Sequence, residues 1–186
     1  LGYPAEDVAF AGIAAGFGAL ATEEMERGAL VIDIGAGVTE YVLFHGPGAF
    51  HCGQLTVGCE HVANDLAIGL RLPMPKCRKI LQELSQLGGT AEMTPDGRTR
   101  MREFETLGSA VRAIPLSTIE QVIELRLREL FDTILSDVRT HQGLSRIAQG
   151  IVLTGGGALI PGIERLAGRV FETPVRIGRP HLVCGV

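Results

Sequence analysis

Two apolar periods alternate along the chain, and the places where one gives way to the other mark its elements. Strand-type runs, with apolar residues continuous or at every second position, cover 29–34, 38–44 and 51–57. Gly-Ala-Gly and the stretch HGPGAF separate them, connections short enough for an antiparallel meander. Helical spacing then takes over: in CEHVANDLAIGLRL the residues Val62, Ala63, Leu66, Ala67 and Leu70 fall on one face. Upstream, residues 8–22 predict a short buried strand, VAFAG, and an Ala-rich helix, and TEEMERG closes on a helix-stopping glycine. That uncharged stretch is shorter than the roughly 20 apolar residues needed to cross a bilayer.

Past LPMP, a second helical stripe joins Cys77, Ile80, Leu81, Leu84 and Leu87 and stops at Gly88 and Gly89. Residues 90–114 carry TPDGR between strand-like flanks, which predicts a hairpin with Asp96 and Gly97 at its tip. The longest helix follows, opened by a capping box from Ser117 to Glu120 and running about 35 Å at 1.5 Å per residue. Its apolar face comprises Ile119, Val122, Ile123, Leu127, Leu130, Phe131, Ile134 and Val138. GIVLT then reads as a buried strand, followed by GGG and a helix with Pro161 in its first turn and Ile163, Leu166, Ala167 and Val170 facing inward. PVRIG is a last strand. This order makes one α/β layer of 29–72 and 150–178, and sets 73–149 apart as an inserted unit of helices and a small sheet.

Composition narrows the class without changing that picture. With 46% hydrophobic residues, 20% charged residues and 25 glycines, the chain is a globular α/β protein rather than a disordered one. A net charge of −4 argues against nucleic acid as a partner, and the basic clusters at 71–79 and 98–102 read as solvated faces. Cys52, Cys59, Cys77 and Cys184 have neither CxxC nor zinc-ligand spacing, which suits a reducing compartment. His45, His51, His61, His141 and His181 show no spacing to a nucleophile or ligand set, and no role is assigned to them. With no start methionine, signal sequence or C-terminal tail in view, and RIGRPHLVCGV stopping inside a fold, the chain reads as a fragment.

The candidate chemistry lies at two strand ends. Asp33 closes the buried run GALVIDI, where a carboxylate costs free energy unless a cation or hydrogen bonds compensate it. A hydrated magnesium ion would do so. Gly35 and Gly37, lacking Cβ, allow left-handed angles and bring backbone N–H groups close to an anion, half of a phosphate clamp. A tight hairpin in which Asp33 caps its own turn explains the same residues. The segment lacks the GK[ST] of a Walker loop, and Glu40 stands where GxGxxG needs its third glycine. In LTGGGALIPG, glycines Gly155, Gly156 and Gly157 lead from strand to helix, suiting either a ligand laid against the backbone at a helix N-terminus or a close strand-helix crossing.

A strand-Asp-Gly-x-Gly-strand hairpin followed far downstream by strand-Gly-Gly-Gly-helix resembles the actin-like ATPase superfamily. Within it, the chain resembles the FtsA family of bacterial cell-division proteins through VAFAGIAAGFGALATEEMERGALVIDIGAGVTEYVLF, VGCEHVANDLAIGLRLP, IEQVIELRLRELFDTI and GIVLTGGGALIPGIERLAGRVFETPVRIGRP. The resemblance implies the second lobe of an actin-like ATPase with a ribonuclease H-like core. Residues 1–28 would end the preceding lobe, 29–72 and 150–186 form the core subdomain, and 73–149 form the inserted α+β outer subdomain. By resemblance Asp33, Gly35, Gly37 and Thr39 belong to the second phosphate motif, with Asp33 reaching magnesium through water. Gly155, Gly156 and Gly157 belong to the adenosine motif. The cofactors implied are ATP and magnesium.

The implied partners are the C-terminal tail of FtsZ, further copies in actin-like filaments, and the inner face of the cell membrane, reached through a segment absent from this chain; the setting is cytoplasmic. Arg126, at the border of the long helix's apolar stripe, suits an acidic peptide or simple solvation. Four positions depart from the family. Ala36 interrupts its glycines, Glu40 replaces an Asp, and Arg78 with Leu81 stand where a Glu and a Lys would meet the nucleotide. Alternatives in the same fold are a sugar-kinase-like phosphotransferase and, given Arg78 and Leu81, a scaffold without nucleotide. With one phosphate loop, the fragment alone is expected to be inactive, and the intact protein at most a slow ATPase.

Overall fold

The computed structural model describes residues 8–87, 101–105 and 111–180. Three antiparallel strands, β1 (Ala29–Ile34), β2 (Thr39–His45) and β3 (Gly48–Leu55), form the meander. Gly46 and Pro47 make a two-residue turn, so β3 starts three residues before the expected strand. Helices α3 (Cys59–Leu70) and α4 (Met74–Leu87) follow, then β4 (Met101–Glu105), β5 (Val111–Pro115) and the long α5 (Leu116–Thr140). β6 (Ile151–Thr154), α6 (Ile163–Phe171) and β7 (Val175–Ile177) complete the order. The main sheet runs β3-β2-β1-β6-β7, with β6 and β7 parallel to β1.

Alternation along β1 splits the core in two. Leu30, Ile32 and Ile34, with Tyr41 and Leu43, face α3, α5 and α6 in a large buried cluster. Val31, with Val42, Phe44 and Val152, faces the other way onto a smaller cluster that includes Ala19 and Leu20. That second layer comes from α1 (Ala11–Ala19), not from the strand expected in VAFAG, and α2 (Thr22–Arg27) ends at Gly28 as its sequence predicts. α1 lies close to the sheet because Gly16 leaves room for the Phe44 ring.

The seven residues Ile119, Ile123, Leu127, Leu130, Phe131, Ile134 and Val138 of the predicted stripe are buried on α5. The expected capping box is not formed: α5 starts at Leu116, with Pro115 in the capping position and no side-chain cap. Its apolar face packs on α3 and α6 of the main layer, in the same cluster as Ile80, Phe104 and Ile114. That cluster therefore holds residues from both sides of position 149. β4 and β5 pair with each other antiparallel, while Asp96 and Gly97 lie outside the described residues.

Candidate functional site

Strand register sets the site. Asp33, at the penultimate position of β1, lies opposite Thr154 on β6 and Glu40 on β2, so the two sequence-distant motifs adjoin on neighbouring strands. Asp33 is half-buried, and among the described residues nothing donates a hydrogen bond to its carboxylate. The self-capped turn is therefore not made; the hairpin closes through its backbone, with Gly35 N–H donating to Val38 O at 2.9 Å. Glu40 sits directly across from Asp33, an arrangement of like charges that disfavours the bare pair. Beside them the Thr154 hydroxyl is buried with no partner. These are features a hydrated cation would satisfy.

The expected left-handed angles at Gly35 and Gly37 do not occur: positive φ among the described glycines falls at Gly28, Gly46, Gly150, Gly155 and Gly162. Ala36 also has ordinary angles, which is why a methyl group is tolerated there. The glycines instead divide by what surrounds them. A Cβ on Gly35 would lie 2.9 Å from Val38 O, and one on Gly157 would collide with Ile34. Gly155, with φ +80°, has neither the angle nor the room for a side chain, since a Cβ would strike Asp33 Oδ1 and come 2.5 Å from Ile34 O. Gly37 and Gly156 meet nothing within 4 Å and are exposed, so they present bare backbone to solvent.

The Gly-Gly-Gly run does not lead directly into an α-helix. A single 3-10 turn, Gly156–Leu159, intervenes, and α6 begins at Ile163 with Gly162 at its cap, leaving Pro161 outside the helix. Thr39 is fully buried and its hydroxyl donates to Val57 O at 2.7 Å, pinning β2 to the segment that enters α3. The start of α3 is docked on the hairpin: Cys59 N–H donates to Gly35 O at 3.0 Å and Glu60 N–H to Ala36 O at 2.8 Å. Gly58 makes this contact possible, because a Cβ would come 2.5 Å from Gly35 O. Burial first, and Glu60 second, push the Cys59 thiol above its ordinary pKa. Gly58 and Thr154 are site residues that the sequence reading passed over. The only hint was the threonine directly before the glycine run.

Arg78 and Leu81 of α4 point to different surroundings. Arg78 is exposed and forks onto the Glu60 carboxylate, with Nε and Nη2 at 2.9 and 2.7 Å, while Leu81 is buried in the core. Arg126 is engaged within the chain. Its Nε and Nη2 hold Asp65 of α3 at 2.6 and 3.0 Å, and Nη1 reaches Glu129 at 2.6 Å.

A five-stranded mixed sheet covered by helices on both faces, with an Asp-ended hairpin beside a glycine-ended strand, is the actin-like α/β core. MreB5 of Spiroplasma citri bound to AMPPNP superposes with a TM-score of 0.71 at 18% identity, covering 90% of this chain and 53% of that one. A non-polymerising MamK mutant bound to AMPPNP gives 0.61 at 15% identity, covering 88% and 52%. Within that class the sequence is specific. The family model described as Cell division protein FtsA matches residues 30–185, and the chain belongs to this family. FtsA of Borreliella burgdorferi is 29% identical over 187 residues, covering 100% of this chain and 44% of that protein. FtsA of Escherichia coli (strain K12) is 30% identical over 194 residues, covering 100% and 45%. The chain thus spans less than half the length of these relatives.

Proposed function

We propose that this chain is the second lobe of an ATP-binding, actin-like protein that tethers the FtsZ division ring to the cytoplasmic face of the membrane. The observation that carries the nucleotide part is the pairing of Asp33 with Thr154, which sets an unpartnered carboxylate beside open glycine backbone. Asp33 holds magnesium through water. Gly37 faces the phosphates and Gly156 the adenosine, while Gly35, Gly155, Gly157 and Thr39 keep the frame in shape. Magnesium, when bound with ATP, supplies the positive charge that screens Asp33 from Glu40. ATP bridging two lobes stabilises the closed form by binding it preferentially, and that form assembles into filaments. With one phosphate loop, this lobe alone has no meaningful turnover.

For the FtsZ tail, the supporting feature is a cleft of about 260 Å³ between α4, α5 and α6, lined by Ile123, Leu127 and Ile163 and by Glu120, Glu124, Arg165 and Arg169, of which Arg169 is paired with Glu124 at 2.8 Å. Arg126 does not line this cleft; Asp65 holds its guanidinium. Among the described residues no helix is long and apolar enough to cross a membrane, so attachment is assigned to another part of the protein.

Equilibrium binding of a fluorescent ATP analogue to the full-length protein tests the reading. Asp33→Asn should weaken binding about tenfold or more with magnesium, which is about 1.4 kcal/mol, and leave binding in chelator almost unchanged. No binding by the unsubstituted protein at millimolar nucleotide would favour the second reading, a nucleotide-free scaffold. The specific observation behind that alternative is that Arg78 is engaged by Glu60 and Leu81 is buried in the core.

A further inference from the structure

The histidines, which had no role in the sequence, acquire one from the fold. We propose that His51, Asp137 and His141 bind a divalent transition-metal ion of the zinc class, at a site that fastens edge strand β3 to the end of α5. One ring nitrogen of each histidine and one carboxylate oxygen all lie within 4.8 Å of one another. His51 Nε2 is 2.6 Å from Asp137 Oδ2, and His141 Nδ1 is 3.4 Å from Asp137 Oδ1. Ligand atoms around a tetrahedral zinc with bonds of about 2.0–2.1 Å stand about 3.3 Å apart.

Three features favour an ion over a casual cluster. First, the spacing is helical: Asp137 and His141 are four residues apart, so both project over the last turn of α5. Second, the set is braced from outside. Tyr41, almost wholly buried, donates its hydroxyl to Asp137 Oδ2 at 2.7 Å. Outer partners of this kind orient ligands and typically change metal affinity about 10–100-fold. Third, the two imidazoles sit side by side with centroids 4.2 Å apart, and one ring turns out of this stack for both to aim a nitrogen at one ion. Two imidazoles and a carboxylate suit zinc, cobalt or nickel better than magnesium or calcium, whose ligands are oxygens. His51 is 17% exposed and His141 50%, so an ion can enter from solvent and a water can take the remaining position.

The test uses full-length protein stripped with chelator, titrated with Zn²⁺ by calorimetry and with Co²⁺ by visible absorption. One equivalent should bind in the micromolar range, and cobalt should show ligand-field bands that zinc abolishes. His51→Gln and His141→Gln should each lower the affinity at least about tenfold, and Tyr41→Phe by a similar factor. Cys52→Ser is the control: Cys52 neighbours His51 on β3 but points to the opposite face of the strand, so its loss should change nothing. His141 is half exposed, so His141→Gln decides the matter even if His51→Gln fails to fold. Absence of binding at hundred-micromolar zinc, or binding unchanged in His141→Gln with native circular dichroism, would overturn the proposal.

Discussion

Two regions tied to a nucleotide in the proposed function are built from different material. Asp33 to Val38 and Gly155 to Gly157 offer backbone, shaped by strand register and by glycines that their own neighbours make necessary. Helix α4 offers side chains, and there Arg78 is tied to Glu60 and Leu81 is turned into the core. The first region cannot change without disturbing the sheet, because a Cβ at Gly155 or Gly157 collides with β1 itself. In the second, Arg78 can change at little cost to folding, since an exposed ion pair contributes little to stability, whereas Leu81 is held by the core.

Substitutions can break or sharpen that contrast. The largest effect should come from Gly155→Ala, where left-handed strain and overpacking against Ile34 O together cost about 2–4 kcal/mol. Thermal or urea unfolding would record it, and a melting curve matching the parent would show that the glycine backbone is not constrained as described. Arg78→Gln should act on ligand more than on folding, because the side chain is exposed and its ion pair with Glu60 contributes little to stability. A gained hydrogen bond is worth about 0.5–1.5 kcal/mol, so ATP affinity should rise up to several-fold while the melting temperature changes little. The smallest effect belongs to Gly37→Ala. With open space around it and ordinary φ, its stability should stay within about 0.5 kcal/mol of the parent. Equal losses at Gly37 and Gly155 would erase the distinction between glycines with open space around them and those without.

Much of the fold was legible in local patterns. β1 begins and ends where its apolar run does, and the α5 stripe is buried as its spacing requires. The misreadings were also local. VAFAG suggested a strand but its Ala11 and Gly12 already open α1, and the Ser117 capping box lost to a helix that starts at Leu116 behind Pro115. The glycines were found, but left-handed angles were expected at Gly35 and Gly37 when the decisive one is at Gly155. Free space around a glycine depends on strands more than a hundred residues away, which no window along the chain contains.

The same reason separates what the sequence determined from what only the tertiary structure decided. Period, turn residues and the two glycine motifs identify the family and most elements, because each rests on neighbours within a few positions. His51 reaches Asp137 across 86 residues, and Tyr41 across 96. Arg126 spends its charge on Asp65 from 61 residues away. Such meetings depend on how a sheet edge and a helix end are packed together, and packing is a property of the whole core, not of any segment read alone.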